Sequence, residues 1–334
     1  MMITKEEVLK RLEEAGFPSY LVGGFVRDKL MDKTASDIDI ATKARPDDIK
    51  EVFKDFTTID VGRAFGTIKL VADRKDYEIT TFRTEGAYND KRRPSELEFS
   101  DKIEDDLKRR DFTINAMAIR RGEVIDPHGG RADLEKKIIR AVGNPYERIG
   151  DDYLRALRAV SFAARFDFEI DFYLKAAIKE NKTNLAYISK ERQRRELDKI
   201  LLSENPAKGI RLLDELDLLE LVLPEVKTMV GFNQHSPHHY LDLFDHTMKV
   251  LENTRADLTI RLAALFHDVG KPITFFLDEK ANGRFFGHDK VSTDMAEKRL
   301  KDLKYPKKII NDVGFLISRH MDSANTYTKK SVGR

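Results

Sequence analysis

The sequence predicts a multidomain α+β protein: a head built on a small mixed β-sheet with helices, then an all-α middle part and an all-α C-terminal part. Three observations carry this. Short β-like runs punctuated by glycine and polar turns are confined to the residues before about 130. Beyond them the chain reads as one amphipathic helix after another. A second change comes at Pro224 and the turn-rich Gly231–His239, and seven of the 8 histidines fall from His235 onward. A chain of 334 residues is long enough for two or three cores, and the expected domains are 1–130, 131–225 and 226–334.

Taken in order, residues 4–15 place Val8, Leu9 and Leu12 on one helical face, with Thr4 as N-cap and Gly16 as stop. Strands are expected at Tyr20–Val22, Ser36–Ala41, Thr67–Val71 and Tyr77–Phe82, with Pro46–Phe53 helical or polar between them. Strand signals then stop near residue 130. Helices are expected at Asp133–Val142, Asp152–Phe166, Asp171–Asn181, Ser189–Leu202 and Ala207–Leu216. No repeat or low-complexity tract interrupts them.

Composition narrows the chemistry mainly by exclusion. With 60 basic and 58 acidic side chains the net charge is +2, so a nucleic-acid surface has to come from local clustering. The absence of cysteine removes disulfides, zinc ribbons and thiol nucleophiles. No run approaches the roughly 18 apolar residues of a membrane span, and the charged N-terminus lacks the apolar core of a signal peptide, so a cytoplasmic protein without a membrane partner is expected.

The most informative local pattern is Leu21-Val22-Gly23-Gly24-Phe25-Val26-Arg27-Asp28, followed by Ser36-Asp37-Ile38-Asp39-Ile40. Residues two apart on a strand share a face, so Asp37 and Asp39 project together while Ile38 and Ile40 point into a core. Paired carboxylates of this kind suit Mg²⁺, which takes oxygen ligands and combines one or two protein carboxylates with substrate phosphates. Gly23-Gly24 between a strand and a helix allows a triphosphate to approach backbone N–H groups, and Arg27 supplies a charge-assisted contact. Alone, an Asp-x-Asp is usually a pair of solvated acids and a Gly-Gly a turn.

In combination these motifs resemble the signature of bacterial tRNA CCA-adding enzymes and their relatives the bacterial poly(A) polymerases, the class II tRNA nucleotidyltransferases. The likeness continues through Tyr77–Arg83, Glu85–Pro94, Arg109–Ala116, the turn Asp126–Gly130, and Asp152-Tyr153-Leu154-Arg155 with Arg158. The resemblance implies a nucleotidyltransferase head that adds CCA to the 3′ end of tRNA from CTP and ATP without a nucleic-acid template. It implies that Asp37 and Asp39 are catalytic and hold two Mg²⁺ ions, with Glu78 as a third carboxylate. It assigns nucleotide binding to Gly23, Gly24, Arg27, Asp28, Arg109, Arg110, Asp111 and Asn115. Asp152 and Arg155, three apart and expected on one helix face, would act as the protein template that selects C and A, with Arg158 extending the basic stripe. Relatives usually carry Glu where this chain has Asp151 and often Arg where it has Ser161. Glu191–Glu196 matches the family's neck helix, from which Arg194 or Arg195 would reach a tRNA backbone. Residues Glu85–Pro94 look like the flexible loop of full CCA enzymes, favouring complete addition over CC-only, A-only or poly(A) synthesis.

In the C-terminal part, His246, His267-Asp268, His288 and His320 follow the order of an HD domain, found in one branch of these enzymes. The resemblance implies a divalent metal, a transition metal or Mg²⁺, at His246, His267 and Asp268, with His288 and His320 as additional ligands. It also admits a metal-dependent phosphohydrolase as a competing reading. The family closes such a site with a later Asp, so a longer parent chain is expected.

Overall fold

A computed structural model describes residues 3–34, 38–62, 66–72, 76–84, 98–235 and 241–322. Asp37 and the Glu85–Pro94 loop lie outside the described residues. The chain forms two compact units, one of residues 1–155 with 169–177, the other of 156–168 with 178–334.

The first unit opens with α1 (Lys5–Glu14), started by Thr4, whose hydroxyl accepts the Glu7 N–H at 3.2 Å, and burying Val8 and Leu12. There follow β1 (Ser19–Val22), α2 (Gly24–Leu30), β2 (Ile38–Thr42), α3 (Pro46–Val52), β3 (Thr57–Gly62), β4 (Thr67–Val71) and β5 (Asp76–Thr81). Next come α4 (Ile103–Lys108), β6 (Ala118–Arg120), β7 (Glu123–Ile125), α5 (Gly130–Glu135), β8 (Ile138–Ile139) and α6 (Pro145–Asp151). The sheet has the order β3-β4-β5-β2-β1-β6-β7 and is mixed, since β2 and β5 run parallel while the other neighbours are antiparallel. On β2 the expected alternation holds, with Ile38 and Ile40 buried in a core shared with Val26, Ile49, Ile68, Leu70 and Ile79.

Strands β3, β6 and β7 carry no clear sequence signal. β3 is an edge strand with mostly exposed side chains, and β6 and β7 have three residues each, too few to display a period. The expectation of no strands after residue 130, and of one helix over Asp133–Val142, is corrected. Helix α5 stops at Glu135, Lys137 takes a left-handed turn at φ 57°, and Ile138–Ile139 pairs in parallel with β9 (Glu169–Ile170). Leu134, Ile138 and Ala141 mimic helical spacing, and the partner strand lies too far along the chain for any local pattern to reveal it.

Helix α7 (Leu154–Phe166) runs on from the first unit, and α8 (Phe172–Glu180) follows β9. The second unit is otherwise helical: α9 (Lys190–Leu201), α10 (Pro206–Glu215), α11 (Leu219–Val222), α12 (Pro224–Lys227), α13 (Leu243–Glu252), α14 (Leu258–Phe266) and α15 (Lys271–Thr274). A two-strand ribbon, β10 (Phe276–Leu277) with β11 (Gly283–Arg284), precedes α16 (His288–Asp302) and α17 (Lys307–Ser318). Ser189, Asp242 and Asp257 cap α9, α13 and α14 through their side-chain oxygens. Buried Arg261 on α14 donates to the carbonyls of Leu201 and Ser203, satisfying acceptors at the end of α9. Helix α17 packs on α14 and α16. No helix among the described residues is long and apolar enough to cross a membrane.

Candidate functional site

The turn between β1 and α2 forces a glycine at 23. Its backbone sits at φ 63°, ψ −133°, a region that side chains disfavour. A Cβ at this position would stand 2.8 Å from Arg110 Nη1 and 3.2 Å from Asp39 Oδ2, so a guanidinium and a carboxylate meet over the bare Cα. Asp39 projects from β2 between buried Ile38 and Ile40, and its register partner on β5 is Glu78. The two carboxylates therefore lie on neighbouring strands at the same level. The pair is a fitting oxygen donor set for Mg²⁺, a hard cation.

Arg27, 5% exposed, points back into the head. It donates to Asp28 at 2.8 Å and to the Asn115 side-chain carbonyl at 2.7 Å. Asn115 in turn donates to Asp111 at 3.1 Å, and Asp111 also receives the Phe112 N–H. Four of the expected nucleotide-binding residues thus form one hydrogen-bonded network. Asn115 is set by a 3-10 turn, Thr113–Asn115, rather than by a turn of α-helix. Asp126 accepts the N–H groups of Gly130 and Arg131, and Gly130 lies so close to the Thr113 carbonyl that no side chain fits. The Asp126–Gly130 turn accordingly buttresses the Asn115 turn.

Arg109-Arg110-Asp111 does not begin a helix. It follows the end of α4, with Arg109 as C-cap. Both guanidinia are gripped by Asp106, a fully buried acid 2.6 Å from Arg109 and 3.0 Å from Arg110. Burial would raise the Asp106 carboxyl, but the charges of Arg110 and Arg109 outweigh it and hold the group below the usual carboxylate range. The Nε of Arg110 is buried without a partner, an orphaned donor on the guanidinium that meets Asp39 at Gly23 and one that suits an anionic ligand.

Asp152 and Arg155 do not share a helix face. Asp152 is extended at φ −148° and stands before α7, where its carboxylate accepts the Leu154 N–H at 3.0 Å. Its polar side chain competes for backbone donors and opens a turn, which breaks the expected continuous helix. Arg155 lies in the first turn of α7 and donates to the Arg148 carbonyl at 2.8 Å, the Arg109 carbonyl at 3.3 Å and Asp151 at 3.4 Å. Arg148 reaches the same end of α4, binding the carbonyls of Lys108 and Arg109. Arg158 sits on α7 with its guanidinium 5.3 Å from the Phe162 ring.

In the second unit all five expected metal-site residues converge. Asp268 Oδ2 is 3.0 Å from His267 Nε2 and 4.0 Å from His246 Nε2, while Oδ1 is 3.3 Å from His288 Nε2 and 3.7 Å from His320 Nε2. The Nδ1 atoms of His267, His288 and His320 each contact a carbonyl three residues upstream, those of Ala264, Phe285 and Ile317. Such contacts fix Nδ1 as donor and leave Nε2 as ligand atom, the arrangement that supports a bound metal. Burial would raise Asp268, yet hydrogen bonds from doubly protonated His267, His288 and His320, given up when a metal takes their Nε2 atoms, hold its carboxyl far below the ordinary range.

Sequence reading missed Asp106, Arg148, Lys271 and Gln234. Asp106 lies three and four residues before the two arginines, a helical spacing that signals the pairing. Lys271 lies three residues after Asp268, and its ammonium is 2.8 Å from that carboxylate and 3.2 Å from Gln234 Oε1. Gln234 sits in a loop and offers no such signal.

Residues 19–140 match the poly A polymerase head domain, residues 167–229 the probable RNA and SrmB-binding site of polymerase A, and residues 239–332 the HD domain. The CCA-adding enzyme of Limosilactobacillus reuteri is 49% identical over 205 residues, 61% of this chain and 50% of that protein. The chain thus matches about half the length of such curated relatives. The Thermotoga maritima CCA-adding enzyme complexed with tRNA(CCA) is 27% identical, with TM-score 0.63 over 93% of this chain and 68% of the other. The Bacillus stearothermophilus CCA-adding enzyme in complex with CTP is 31% identical, with TM-score 0.73 over 97% of this chain and 72% of the other. A fold and an identity retained together over nearly the whole of this chain leave one assignment, and the chain belongs to the family of CCA-adding enzymes.

Proposed function

We propose that this chain adds CCA to the 3′ end of tRNA from CTP and ATP, selecting each nucleotide without a nucleic-acid template. The observation that carries the reading is the meeting of Asp39 and Arg110 at the bare Cα of Gly23, with Glu78 the register partner of Asp39 on the neighbouring strand. In this reading Asp39, with Asp37 and Glu78, holds two Mg²⁺ ions, which when bound activate the tRNA 3′-hydroxyl and stabilise the leaving pyrophosphate. Arg110 neutralises triphosphate charge, and Gly23-Gly24 let the phosphates approach the backbone. The network of Arg27, Asp28, Asp111 and Asn115, with Arg109 beside it, holds these groups in position. Asp152 and Arg155 select the base, with Arg158 on the same helix contributing charge. The domains are a catalytic head at 1–130, a nucleotide- and RNA-binding neck at 131–225 and an HD domain at 226–334. Its setting is the cytoplasm.

The test uses tRNA lacking CCA, tRNA lacking only A, and a generic RNA, each given CTP and ATP separately. Ordered incorporation of C, C and A into the first substrate, and its loss in Asp39→Ala, is the expected result. Addition of only CC, only A or a run of A would assign a partial-addition or poly(A) enzyme.

A second reading has its own observation. The Nε2 atoms of His246, His267, His288 and His320 around Asp268 form a divalent-metal donor set, and we infer a metal-dependent phosphohydrolase centre there. Phosphate release from a phosphomonoester, lost in Asp268→Ala while nucleotide addition persists, separates the two activities.

A further inference from the structure

A cavity of about 270 Å³ opens on the first unit, lined by Arg140, Gly143, Pro145, Tyr146, Asp171 and Tyr173 among others. None of these residues belongs to the nucleotide or metal sites described above. Two tyrosine rings and a proline stand in its walls beside Arg140 and Asp171. Tyr146 and Tyr173 are 40% and 63% exposed, and Phe172, itself 76% exposed, meets Tyr173 edge-on at 5.5 Å. At Gly143 the backbone runs at φ 71°, and a Cβ there would meet no atom within 4 Å, so the wall is open at that point.

The polar groups are arranged for an uncharged ligand. Arg140 donates to Asp133 at 3.2 Å and to Asp171 at 2.9 Å, so its charge is already matched by two carboxylates. A phosphate gains little here. The guanidinium is nevertheless held still, because Asp133 is itself fixed by the Thr113 hydroxyl at 2.7 Å and Asp171 caps the Tyr173 N–H. The Nη2 of Arg140 takes part in none of these bonds, leaving a planar donor at the cavity edge. Stacking walls with a fixed donor and no surplus positive charge are the chemistry of a nucleobase site.

We propose that this cavity is a subsite for one unpaired nucleobase of the RNA. It lies at the start of α6, whose seven residues carry the chain about 10 Å to Asp152, roughly three stacked base steps. One RNA strand can therefore engage both places. The inference rests on the RNA reading for the source of the base, and a free nucleoside is the other source of the same chemistry.

The experiment measures fluorescence anisotropy of a labelled single-stranded RNA on the full chain, and separately its competition by adenosine and cytidine. Tyr146→Ala and Tyr173→Ala are expected to weaken RNA binding about tenfold each, while Tyr146→Phe and Tyr173→Phe keep it within twofold, because the ring and not the hydroxyl stacks. Thermal melts check that the Ala variants fold. Unchanged RNA affinity in both folded Ala variants overturns the proposal. So does loss of nucleoside competition alone, which makes a free nucleoside the occupant. Should Asp39→Ala retain nucleotide incorporation while the tyrosine variants lose RNA, the catalytic reading fails and the subsite stands.

Discussion

Replacing Gly23 by Ala tests whether the head's carboxylate and guanidinium act as one site. At φ 63°, ψ −133° a side chain costs about 1–3 kcal/mol of backbone strain. The new Cβ would also lie 2.8 Å from Arg110 Nη1 and 3.2 Å from Asp39 Oδ2, so both groups must withdraw by some tenths of an ångström or the turn must move. A displacement approaching 1 Å at a reacting centre costs about a hundredfold in rate. Gly24 is the internal control: its Cβ would meet only Arg27 Nη2, at an ordinary 3.5 Å, and its φ is unstrained. The assay is incorporation of labelled CMP and AMP into tRNA lacking CCA, paired with thermal melts. Gly23→Ala is expected to lower the melting temperature of the first unit by about 2–10 °C and kcat/KM by about a hundredfold. Gly24→Ala should leave the melting temperature unchanged. Wild-type kcat/KM in a stably folded Gly23→Ala protein would refute the claim that Asp39 and Arg110 meet over this glycine to form the nucleotide site.

Asp106→Asn removes the charge that gathers Arg109 and Arg110. Breaking a fully buried pair costs about 3–5 kcal/mol, and since the arginines keep some water contact about 2–3 kcal/mol is expected in urea unfolding of the first unit. Because the folded Asp106 titrates below its unfolded value, the stability it contributes is present above about pH 4 and is lost as pH falls towards the folded value. The variant should therefore show a flatter acid limb. Asp198 behaves in the opposite sense: burial pushes its carboxyl up, although Tyr305 donates to it at 2.5 Å. The folded state then binds its proton more tightly than the unfolded state, so this group's contribution to stability falls as pH rises through the window above about pH 4. Asp198→Asn should remove that pH dependence, and Tyr305→Phe should cost about 1–2 kcal/mol at neutral pH, both read by urea titration of the second unit. Adding Mn²⁺ or Ni²⁺ to chelator-treated protein should raise the second unit's melting temperature by about 5–10 °C at a hundredfold excess over Kd, and Asp268→Ala should abolish the shift.

The sheet strands that carry the head chemistry were legible because their pattern is local. Ile38 and Ile40 alternate with acids, and Gly23-Gly24 punctuates a strand and a helix. Asp268 and the four histidines around it were legible only as an order of imidazoles and a carboxylate, since their convergence depends on how α13, α14, α16 and α17 pack. Two features stayed hidden for physical reasons. Strand β8 exists because Ile138 pairs with Glu169, a non-local partner. The Asp152 break arises because a carboxylate that could sit on a helix face instead accepts the Leu154 N–H, and periodicity cannot decide between those two uses.

That break bears on how base selection should be probed. Two guanidinia, from Arg148 and Arg155, converge on the carbonyl of Arg109 at the end of α4, where a helix's partial negative charge favours cations. Asp106 meanwhile holds the side chains of Arg109 and Arg110, and Arg110 reaches the bare Cα of Gly23. The segment proposed to read the base is thus bonded to the segment that carries the phosphate-facing charge. Truncating Arg155 disturbs both at once, so a loss of incorporation in that variant says nothing by itself about recognition of C or A. Asp152 is the more discriminating position. Asparagine there keeps an oxygen for the Leu154 N–H and so preserves the turn, while adding an amide donor where the base amine would be recognised. Only a change in the ratio of C to A incorporation, at unchanged stability, isolates base choice from the geometry that supports it.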